Sequence, residues 1–448
     1  MSAMAITPLD GWTRDRISQH RCGPLDLDAL RAFQLRRLQK TLDRVCRKSP
    51  FYRNRFSDRL PLGLDSFQHL ATLPLTTDAD LRKDPLSFLC VSQDLVARLV
   101  TLPTSGTTDV PKRIAFTERD LTATRQFFHW GMATLAGPES RVMILLPGTS
   151  PDSVGDLLAR SLDGLVEESI PHGPLSDPGR TAKAIASTGA DCLVGIPVQV
   201  LALARHPACR LIPRGQIRSV LLTGDYVPKP VVDALSDAWG ASVFQHYGMT
   251  EMGFGGGVEC AARNGYHLRE ADLFFEIVDS DTGAPVRGQA PGEIVFTTLD
   301  REAMPLIRYR TGDLAQWMAG PCPCGSRMPR LAKIAGRRAA VIRLDETQRF
   351  SHADLDEALF SLESVLDYKA QLRDENGVTL LTICLGVSSP GKISAAKVRS
   401  ALEGAPALKA AIESGLLRIG PPAIEPRRMW TRGWQKRMID DFRGKGFL

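Results

Sequence analysis

The sequence is poor in aromatic residues, in long apolar runs and in basic clusters, and each shortage excludes a class of protein. Only 6% of its 448 residues are aromatic, and we find neither a polybasic run nor the basic–aromatic interleaving that is typical of nucleic-acid binding. No apolar run approaches the roughly 18 residues that span a bilayer. The first residues, MSAMAITPLDGWTRDR, contain no apolar core of a secretion leader. We therefore expect a cytoplasmic protein that binds neither nucleic acid nor membrane.

Cysteine is also scarce, and neither sign of charge dominates. Nine cysteines in a chain of this length predict reduced thiols or metal ligands rather than a disulfide framework. The formal charge is +6, from 56 basic and 50 acidic residues. This excess suits a polyanionic ligand such as ATP or CoA, and a solvated, slightly basic surface explains it equally well.

The length and the spacing of apolar residues predict more than one domain. A chain of 448 residues exceeds the roughly 250–300 at which a single core stops growing. Leu35, Leu38, Leu42 and Val45 form one apolar stripe at helical spacing, and Pro50 should end that helix. Further along, short apolar runs that end at Gly or Pro turns alternate with amphipathic segments, as buried parallel strands do. These runs are Val142–Leu146, Cys192–Val194 and Val220–Leu222.

The second half of the sequence has a different pattern of apolar and turn residues. Leu273–Val278 and Glu293–Thr298 flank a turn-rich segment and predict antiparallel strands. Beyond residue 340 we expect a small α+β unit, with a helix around Ala353–Leu362 and a hairpin at Asn376-Gly377. The predicted fold is therefore α/β, with a large domain of several subdomains (1–339) and a small C-terminal domain (340–448).

The segment TSGTTDVPKR, residues 104–113, has the composition of a phosphate-binding loop. It places four hydroxyl residues and a glycine within five positions and then adds Pro111 and Lys112. Small residues let backbone N–H groups and hydroxyls approach phosphate oxygens, and the lysine adds positive charge. The spacing differs from that of the GxxxxGK[ST] loop, and such a run by itself is equally typical of a flexible loop.

Together with other motifs, this loop closely resembles that of the phenylacetate–CoA ligase family of adenylate-forming enzymes. The resemblance covers nearly the whole chain, and its motifs occur in the family's order. They are SPFYRNRF (49–56), LPLTTDADLR (73–82), QHYGMTEMGFGGGVEC (245–260), EAMPLIRYRTGDL (302–314), CPCG (322–325) and IAGRR (334–338). The resemblance implies a soluble, two-domain enzyme that activates a carboxylic acid with ATP and Mg²⁺, and it points to a homodimer.

The resemblance also assigns roles to individual residues. A carboxylate must attack the α-phosphorus of ATP in line with the leaving pyrophosphate, so positioning and charge stabilisation carry the catalysis. The implied catalytic residues are Thr107 and Glu251, with Glu251 holding Mg²⁺ through an anionic oxygen. The implied nucleotide contacts are Ser105, Gly106, Thr107, Thr108 and Lys112 at the phosphates, Tyr247 and Gly248 at the adenine, Thr250 at the α-phosphate, Asp313 at the ribose, and Arg337 at the ribose or phosphate.

The chain departs from the family pattern at three positions. Asp109 stands where the family usually has glycine. In RGWQKRMIDD (432–441), Trp434 occupies the position where the family has its catalytic lysine, and Lys436 lies two residues further on. A neutral indole cannot neutralise the reacting phosphorus, so either Lys436 serves as the catalytic lysine instead, or adenylation is slow, or the chemistry differs. Ala339-Ala340 replaces an acidic pair at the expected hinge, which bears on the domain rotation between adenylation and thioester formation.

Two pairs of residues have the composition of a structural zinc site. Cys322 and Cys324 surround a tight turn, while Cys260 and His267 lie just beyond the glycine run. Three sulfurs and one imidazole form a tetrahedral set that suits Zn²⁺. The alternative is buried thiols and an unrelated histidine, and the sequence leaves open whether the two pairs meet.

The predicted function is activation of an organic acid, most consistent with an aromatic one, as its acyl-adenylate, followed by transfer to CoA. Two alternatives remain open. The acceptor is instead a carrier protein, an amine or a hydroxyl, or the chain is a nucleotide-binding regulator with a degenerate C-terminal domain.

Overall fold

The computed structural model describes residues 5–18, 23–56, 66–102, 110–426 and 439–444. Within these residues the helices, in chain order, are α1 (Pro8–Arg16), α2 (Leu27–Lys48), α3 (Pro50–Phe56), α4 (Phe67–Thr72), α5 (Asp78–Lys83), α6 (Glu118–Met132), α7 (Val154–Ser161), α8 (Pro178–Thr188), α9 (Pro197–Ala204), α10 (Lys229–Trp239), α11 (His352–Phe360), α12 (Ala395–Glu403) and α13 (Pro406–Glu413).

The strands follow the same order. They are β1 (Arg98–Leu102), β2 (Lys112–Phe116), β3 (Arg141–Ile144), β4 (Glu168–Pro171), β5 (Cys192–Gly195), β6 (Ser219–Leu222), β7 (Ser242–Tyr247), β8 (Gly257–Glu259), β9 (Tyr266–Leu268), β10 (Leu273–Val278), β11 (Gly292–Thr298), β12 (Tyr309–Ala315), β13 (Arg330–Leu331), β14 (Gly336–Arg337), β15 (Val341–Arg343), β16 (Arg349–Ser351), β17 (Val365–Glu375), β18 (Val378–Val387), β19 (Leu417–Ile419), β20 (Ala423–Pro426) and β21 (Ile439–Asp441).

The chain forms two compact units whose segments interleave along the sequence. The first unit consists of Met1–Pro138, Gly148–Glu167 and Phe244–Ile334, and the second of Glu139–Pro147, Glu168–Val243 and Ala335–Leu448. The predicted α/β class is confirmed. Among the described residues, no helix combines the length and the apolar character needed to cross a membrane.

In the first unit, the predicted helical stripe becomes one face of α2. Asp26 caps the first turn of this helix by accepting from two backbone N–H groups, and Pro50 opens α3 because a first-turn residue needs no N–H donor. Leu38, Leu42 and Val45 are buried. Each buried side chain of this size contributes about 1.5–3 kcal/mol. The stripe thus fixes α2 against the first unit.

The antiparallel part of the first unit matches its sequence pattern. β10 pairs with β11 in the register that joins Leu273 to Thr298 and Val278 to Glu293, and β11 pairs with β12. A second antiparallel ribbon joins β8 to β7 and to β9, and β9 pairs with β13. The two ribbons bring the adenine motif (245–260) and the ribose motif (302–314) into one unit.

The second unit contains the predicted parallel strands. β3, β5 and β6 run parallel, and β4 pairs parallel with β3 on its other side. In the C-terminal segment, β17 and β18 form the predicted hairpin, in which Asn376 and Gly377 have φ angles of 53° and 81°. Positive φ at both positions is what a tight hairpin turn of this sequence requires. Apolar residues from all three segments of this unit form one continuous core.

Candidate active site and metal cluster

The adenine motif folds as a strand, a tight turn and a second strand. β7 ends at Tyr247, and Thr250–Met252 forms a single 3₁₀ turn that Gly253 closes with a φ of 71°. A Cβ atom at Gly248 would lie 2.3 Å from the backbone oxygen of Phe254. Only glycine fits at this position, and the turn therefore folds back tightly on the strand that precedes it.

The turn and the ribose motif meet through a hydrogen bond. The Tyr247 hydroxyl donates to Oδ2 of Asp313 at 3.0 Å, although the two residues are 66 positions apart. Both side chains are buried, and the backbone N–H of Asp313 donates to the Thr311 hydroxyl at 3.0 Å. The residues expected to contact adenine and ribose therefore lie side by side, which is the arrangement that one nucleoside requires.

Glu251, the expected magnesium ligand, lies in a cluster of charged groups. It is 2% exposed, and its Oε1 atom forms an ion pair with the Lys112 ammonium and accepts from the Tyr309 hydroxyl at 3.1 Å. The same ammonium pairs with Oδ1 of Asp78 and lies 3.4 Å from the Tyr309 hydroxyl oxygen. We call Asp78, Lys112, Glu251 and Tyr309 the lysine cluster.

Burial and charge decide the protonation of this cluster. Burial, and after it the negative charges of Glu251 and Asp78, raise the pKa of Tyr309 well above its ordinary value, so the phenol keeps its proton. Burial also tends to raise the pKa of Asp78, but hydrogen bonds and positive charge from Lys112 and Arg82 outweigh it and lower the pKa. Asp78 is therefore an anion that binds two cations, with Arg82 Nε donating to its Oδ2 atom at 2.5 Å.

Three residues of this region were not singled out in the sequence. Asp78 and Tyr309 lie inside the motifs at 73–82 and 302–314, of which the first was given no residue role and the second only that of Asp313. Arg301 directly precedes the second motif, and its Nη1 atom donates to the backbone oxygen of Glu251 at 2.6 Å. Its guanidinium also lies over the Phe116 ring at 5.0 Å, and burial lowers the pKa of Arg301 to about 10. Arg301 therefore holds the backbone of the turn that carries Glu251.

The remaining predicted residues are placed as follows. Thr250 is half-buried at the start of the 3₁₀ turn, and Arg337 is exposed in β14, within the second unit. The predicted residues that lie outside the described part of the chain are Ser105, Gly106, Thr107, Thr108 and Lys436.

The four predicted zinc ligands converge, which settles whether the two pairs meet. Cys260, His267, Cys322 and Cys324 are all buried, and their ligand atoms lie within 4.8 Å of one another. Cys260 Sγ is 3.6 Å from Cys322 Sγ, and Cys324 Sγ is 3.6 Å from Nε2 of His267. Tetrahedral zinc with Zn–S bonds of about 2.3 Å spaces two sulfurs by roughly 3.8 Å, so the arrangement fits this ion.

The local structure explains how these four residues meet. Cys260 follows β8 and His267 lies in β9, and the pairing of Val258 with His267 fixes the register of this hairpin. Burial tends to raise the pKa of Cys324, but hydrogen bonds, first that with His267 and then those with the backbone of Ser326 and Thr7, together lower the pKa to about 6. A thiol that ionises readily is a suitable metal ligand. We call these four residues the cysteine–histidine cluster.

Comparison with known sequences identifies the family. Residues 67–299 match the family model described as AMP-binding enzyme. A phenylacetate–coenzyme A ligase of Aromatoleum evansii is 31% identical over 322 residues, which cover 69% of this chain and 71% of that protein. A phenylacetate–coenzyme A ligase of Thermus thermophilus is 28% identical over 322 residues, which cover 70% of this chain and 71% of that protein.

Comparison with solved structures identifies the fold. A 2-hydroxyisobutyryl-CoA ligase, solved with an acyl-adenylate, aligns over 92% of this chain and 89% of its own with a TM-score of 0.76 and 20% identity. O-succinylbenzoate coenzyme A synthetase of Bacillus subtilis, solved with ATP and magnesium, aligns over 73% of this chain and 66% of its own, with a TM-score of 0.50 and 17% identity. The chain belongs to the AMP-binding enzyme family and is an adenylate-forming ligase of the phenylacetate–coenzyme A ligase kind.

Proposed function

We propose that this protein activates an aromatic carboxylic acid as its acyl-adenylate and transfers the acyl group to CoA. The observation that carries the proposal is the hydrogen bond between Tyr247 and Asp313. Glu251, which lies in the same motif as Tyr247, is buried. A phenol ring offers a face for adenine, and a carboxylate accepts hydrogen bonds from a ribose diol. We further propose that the enzyme is cytoplasmic and that it acts as a homodimer.

Glu251 and Lys112 divide the work at the phosphates. Carboxylate oxygen is the ligand type that Mg²⁺ prefers, and Glu251 would hold the ion there. When bound, the ion neutralises charge on the phosphate oxygens. Lys112 supplies further positive charge to the phosphates, and Thr250 donates to the α-phosphate.

Further roles remain proposals that come from the family resemblance. Ser105, Gly106, Thr107 and Thr108 would surround the β- and γ-phosphates, and Arg337 would contact the ribose or phosphate. Lys436 would take the place of the missing catalytic lysine and neutralise the reacting α-phosphate. The residues from 340 onwards would act as a small lid domain on the domain of residues 1–339.

We also propose that the cysteine–histidine cluster binds a structural zinc ion. Its ligand types and 3.6 Å contacts support tetrahedral coordination. Four protein ligands leave no open position for a substrate, so the ion would stabilise the β8–β9 hairpin and the turn at Cys322 rather than take part in catalysis.

A different acceptor is the second candidate. An amide bond synthetase of Marinactinospora thermotolerans shares the fold over 74% of this chain and 66% of its own, with a TM-score of 0.54 and 17% identity. That protein's name describes amide formation, so an amine is the acceptor that we test beside CoA.

Isotope exchange between pyrophosphate and ATP, measured with a panel of aryl and alkyl carboxylates, tests the adenylation step. We expect exchange that depends on an aryl acid, and we expect Lys436→Ala to abolish it. Consumption of CoA, compared with that of an amine, then identifies the acceptor. ATP binding without pyrophosphate exchange for any acid would instead support the alternative that the chain is a nucleotide-binding regulator.

Replacement of Asp313 tests the ribose assignment. Asp313→Ala should raise the KM for ATP roughly 10- to 100-fold, because a buried charge-assisted acceptor of about 1.5–3 kcal/mol is lost. Asp94→Ala is the matched control, since Asp94 is exposed in the same unit. An unchanged ATP dependence in Asp313→Ala would remove Asp313 from the nucleotide site.

A further inference from the structure

The lysine cluster satisfies every proton of the Lys112 ammonium. An ammonium has three donors, and the three acceptors in contact with it are Asp78 Oδ1, Glu251 Oε1 and the Tyr309 hydroxyl oxygen. The Tyr309 hydroxyl in turn lies within donor distance of both carboxylates, 3.1 Å from Oε1 of Glu251 and 3.4 Å from Oδ1 of Asp78. The ammonium is thus held between two carboxylates, with the hydroxyl closing the arrangement.

The two carboxylates differ in access to solvent. The side chain of Glu251 is 2% exposed, whereas that of Asp78 is 46% exposed. Asp78 also holds Arg82 through its second oxygen, so α5 keeps this carboxylate in place. Lys112 therefore has one buried carboxylate partner and one partly exposed carboxylate partner. The ammonium can move from Glu251 towards Asp78 and still be neutralised by a carboxylate.

A divalent cation on Glu251 would compete with the ammonium for the charge of the same carboxylate, whose Oε1 atom the ammonium contacts. Like charges in contact at a buried position repel strongly, so one of the two cations has to leave. Glu251 itself lies in a turn fixed by Arg301 and by the close packing at Gly248, and it moves little. The ammonium is on a flexible four-carbon side chain, so it is the group that moves.

We propose that the Lys112 ammonium occupies the cation position at Glu251 until the metal–nucleotide arrives, and that Asp78 then receives it. Asp78 and Tyr309 are positioning residues in this exchange, because they act through Lys112 and Glu251. The inference rests on the proposed function for the assignment of Glu251 to the metal. The exchange also explains why the Lys112 ammonium contacts Glu251, the proposed metal ligand.

The exchange predicts effects of opposite sign for two substitutions. Asp78→Asn leaves Glu251 as the only carboxylate for the ammonium, so the metal binds about tenfold more weakly. Lys112→Met removes the competitor, so the metal binds more tightly than in the wild type at saturating nucleotide, while the nucleotide itself binds more weakly. In the Lys112→Met background, Asp78→Asn has no further effect on the metal.

The experiment is a titration of the full chain with Mn²⁺, followed by electron paramagnetic resonance, with α,β-methylene-ATP present as a nucleotide that does not react. Lys83→Met is the matched charge control, because Lys83 is exposed on the same helix as Asp78. Thermal melting confirms that each variant folds, and Lys112→Gln replaces Lys112→Met if the latter does not.

The outcomes separate the exchange from the proposed function. Opposite signs, with loss of the Asp78→Asn effect in the double variant, support the exchange. If Asp78→Asn weakens metal binding equally in the Lys112→Met background, Asp78 acts directly on the metal, and the proposed exchange is overturned. If Glu251→Gln binds Mn²⁺ as tightly as the wild type, the metal assignment of Glu251 and the exchange that rests on it are overturned, while pyrophosphate exchange still decides the proposed adenylation by itself.

Discussion

Two clusters of polar side chains in the first unit use different means to attract a cation. The cysteine–histidine cluster has three sulfurs and an imidazole within 4.8 Å, and no lysine or arginine is among its members. The lysine cluster has two carboxylates and a phenol, with an ammonium in contact with all three. The first set suits an ion that stays, and the second suits a cation that is exchanged in each catalytic cycle.

The difference in burial supports the same reading. The cysteine–histidine cluster is at most 3% exposed at every ligand. The lysine cluster reaches solvent through Asp78, whose side chain is 46% exposed. A fully enclosed set of soft ligands contributes to folding, whereas a set of oxygen ligands with one open side can release its cation to a substrate. Mutation should therefore affect stability in one cluster and catalysis in the other.

The largest effect that we expect is loss of stability in the cysteine–histidine cluster. Cys322→Ser should remove the zinc and lower the free energy of unfolding of the first unit by roughly 5 kcal/mol or more, since the binding energy of a structural ion is folding energy. Metal analysis and thermal melting measure both quantities. Cys46→Ser is the control, because Cys46 is a half-buried cysteine outside the cluster. If the wild-type protein is purified without zinc and has the same melting temperature as the zinc-loaded protein, the cysteine–histidine cluster is not a structural metal site.

A smaller effect on stability, but a large one on rate, is expected in the lysine cluster. Glu251→Gln keeps the shape of the side chain and leaves Asp78 to neutralise Lys112, so the melting temperature should stay close to that of the wild type. The rate of pyrophosphate exchange should fall roughly 100-fold or more, because charge stabilisation of the phosphates is lost. If Glu251→Gln instead unfolds the protein as Cys322→Ser does, the distinction between a structural and an exchangeable site fails.

The smallest effect should come from the hydroxyl that closes the lysine cluster. Tyr309→Phe removes one hydrogen bond to Glu251 and one acceptor for Lys112, which together contribute about 1–2 kcal/mol. We expect the Mg²⁺ concentration for half-maximal exchange to change several-fold and kcat to change little. Tyr368→Phe in the second unit is the matched control, since its hydroxyl donates to the buried Asp356 at 2.7 Å. Equal effects of the two variants on the Mg²⁺ dependence would show that Tyr309 is only structural.

Much of the local structure could be predicted from the sequence, because periodicity and turn chemistry act over a few residues. The stripe of Leu38, Leu42 and Val45 produced α2, and Asn376-Gly377 produced the β17–β18 hairpin. Tyr247 and Asp313 were identified because their motifs resemble those of a known family. Their contact also agrees with the roles that the resemblance implies, although the roles themselves stay predictions.

The tertiary structure decided which distant residues meet. The pairing of β8 with β9, and the return of the chain after β12, bring Cys260 and His267 to Cys322 and Cys324. Likewise, only packing reveals that Lys112 bridges Asp78 and Glu251, because α5, β2 and the 3₁₀ turn approach one another from separate parts of the chain. The sequence by itself thus determined the elements and the ligand types, since these depend on neighbouring residues. The folded chain determined the partners, since these depend on long-range strand pairing and burial.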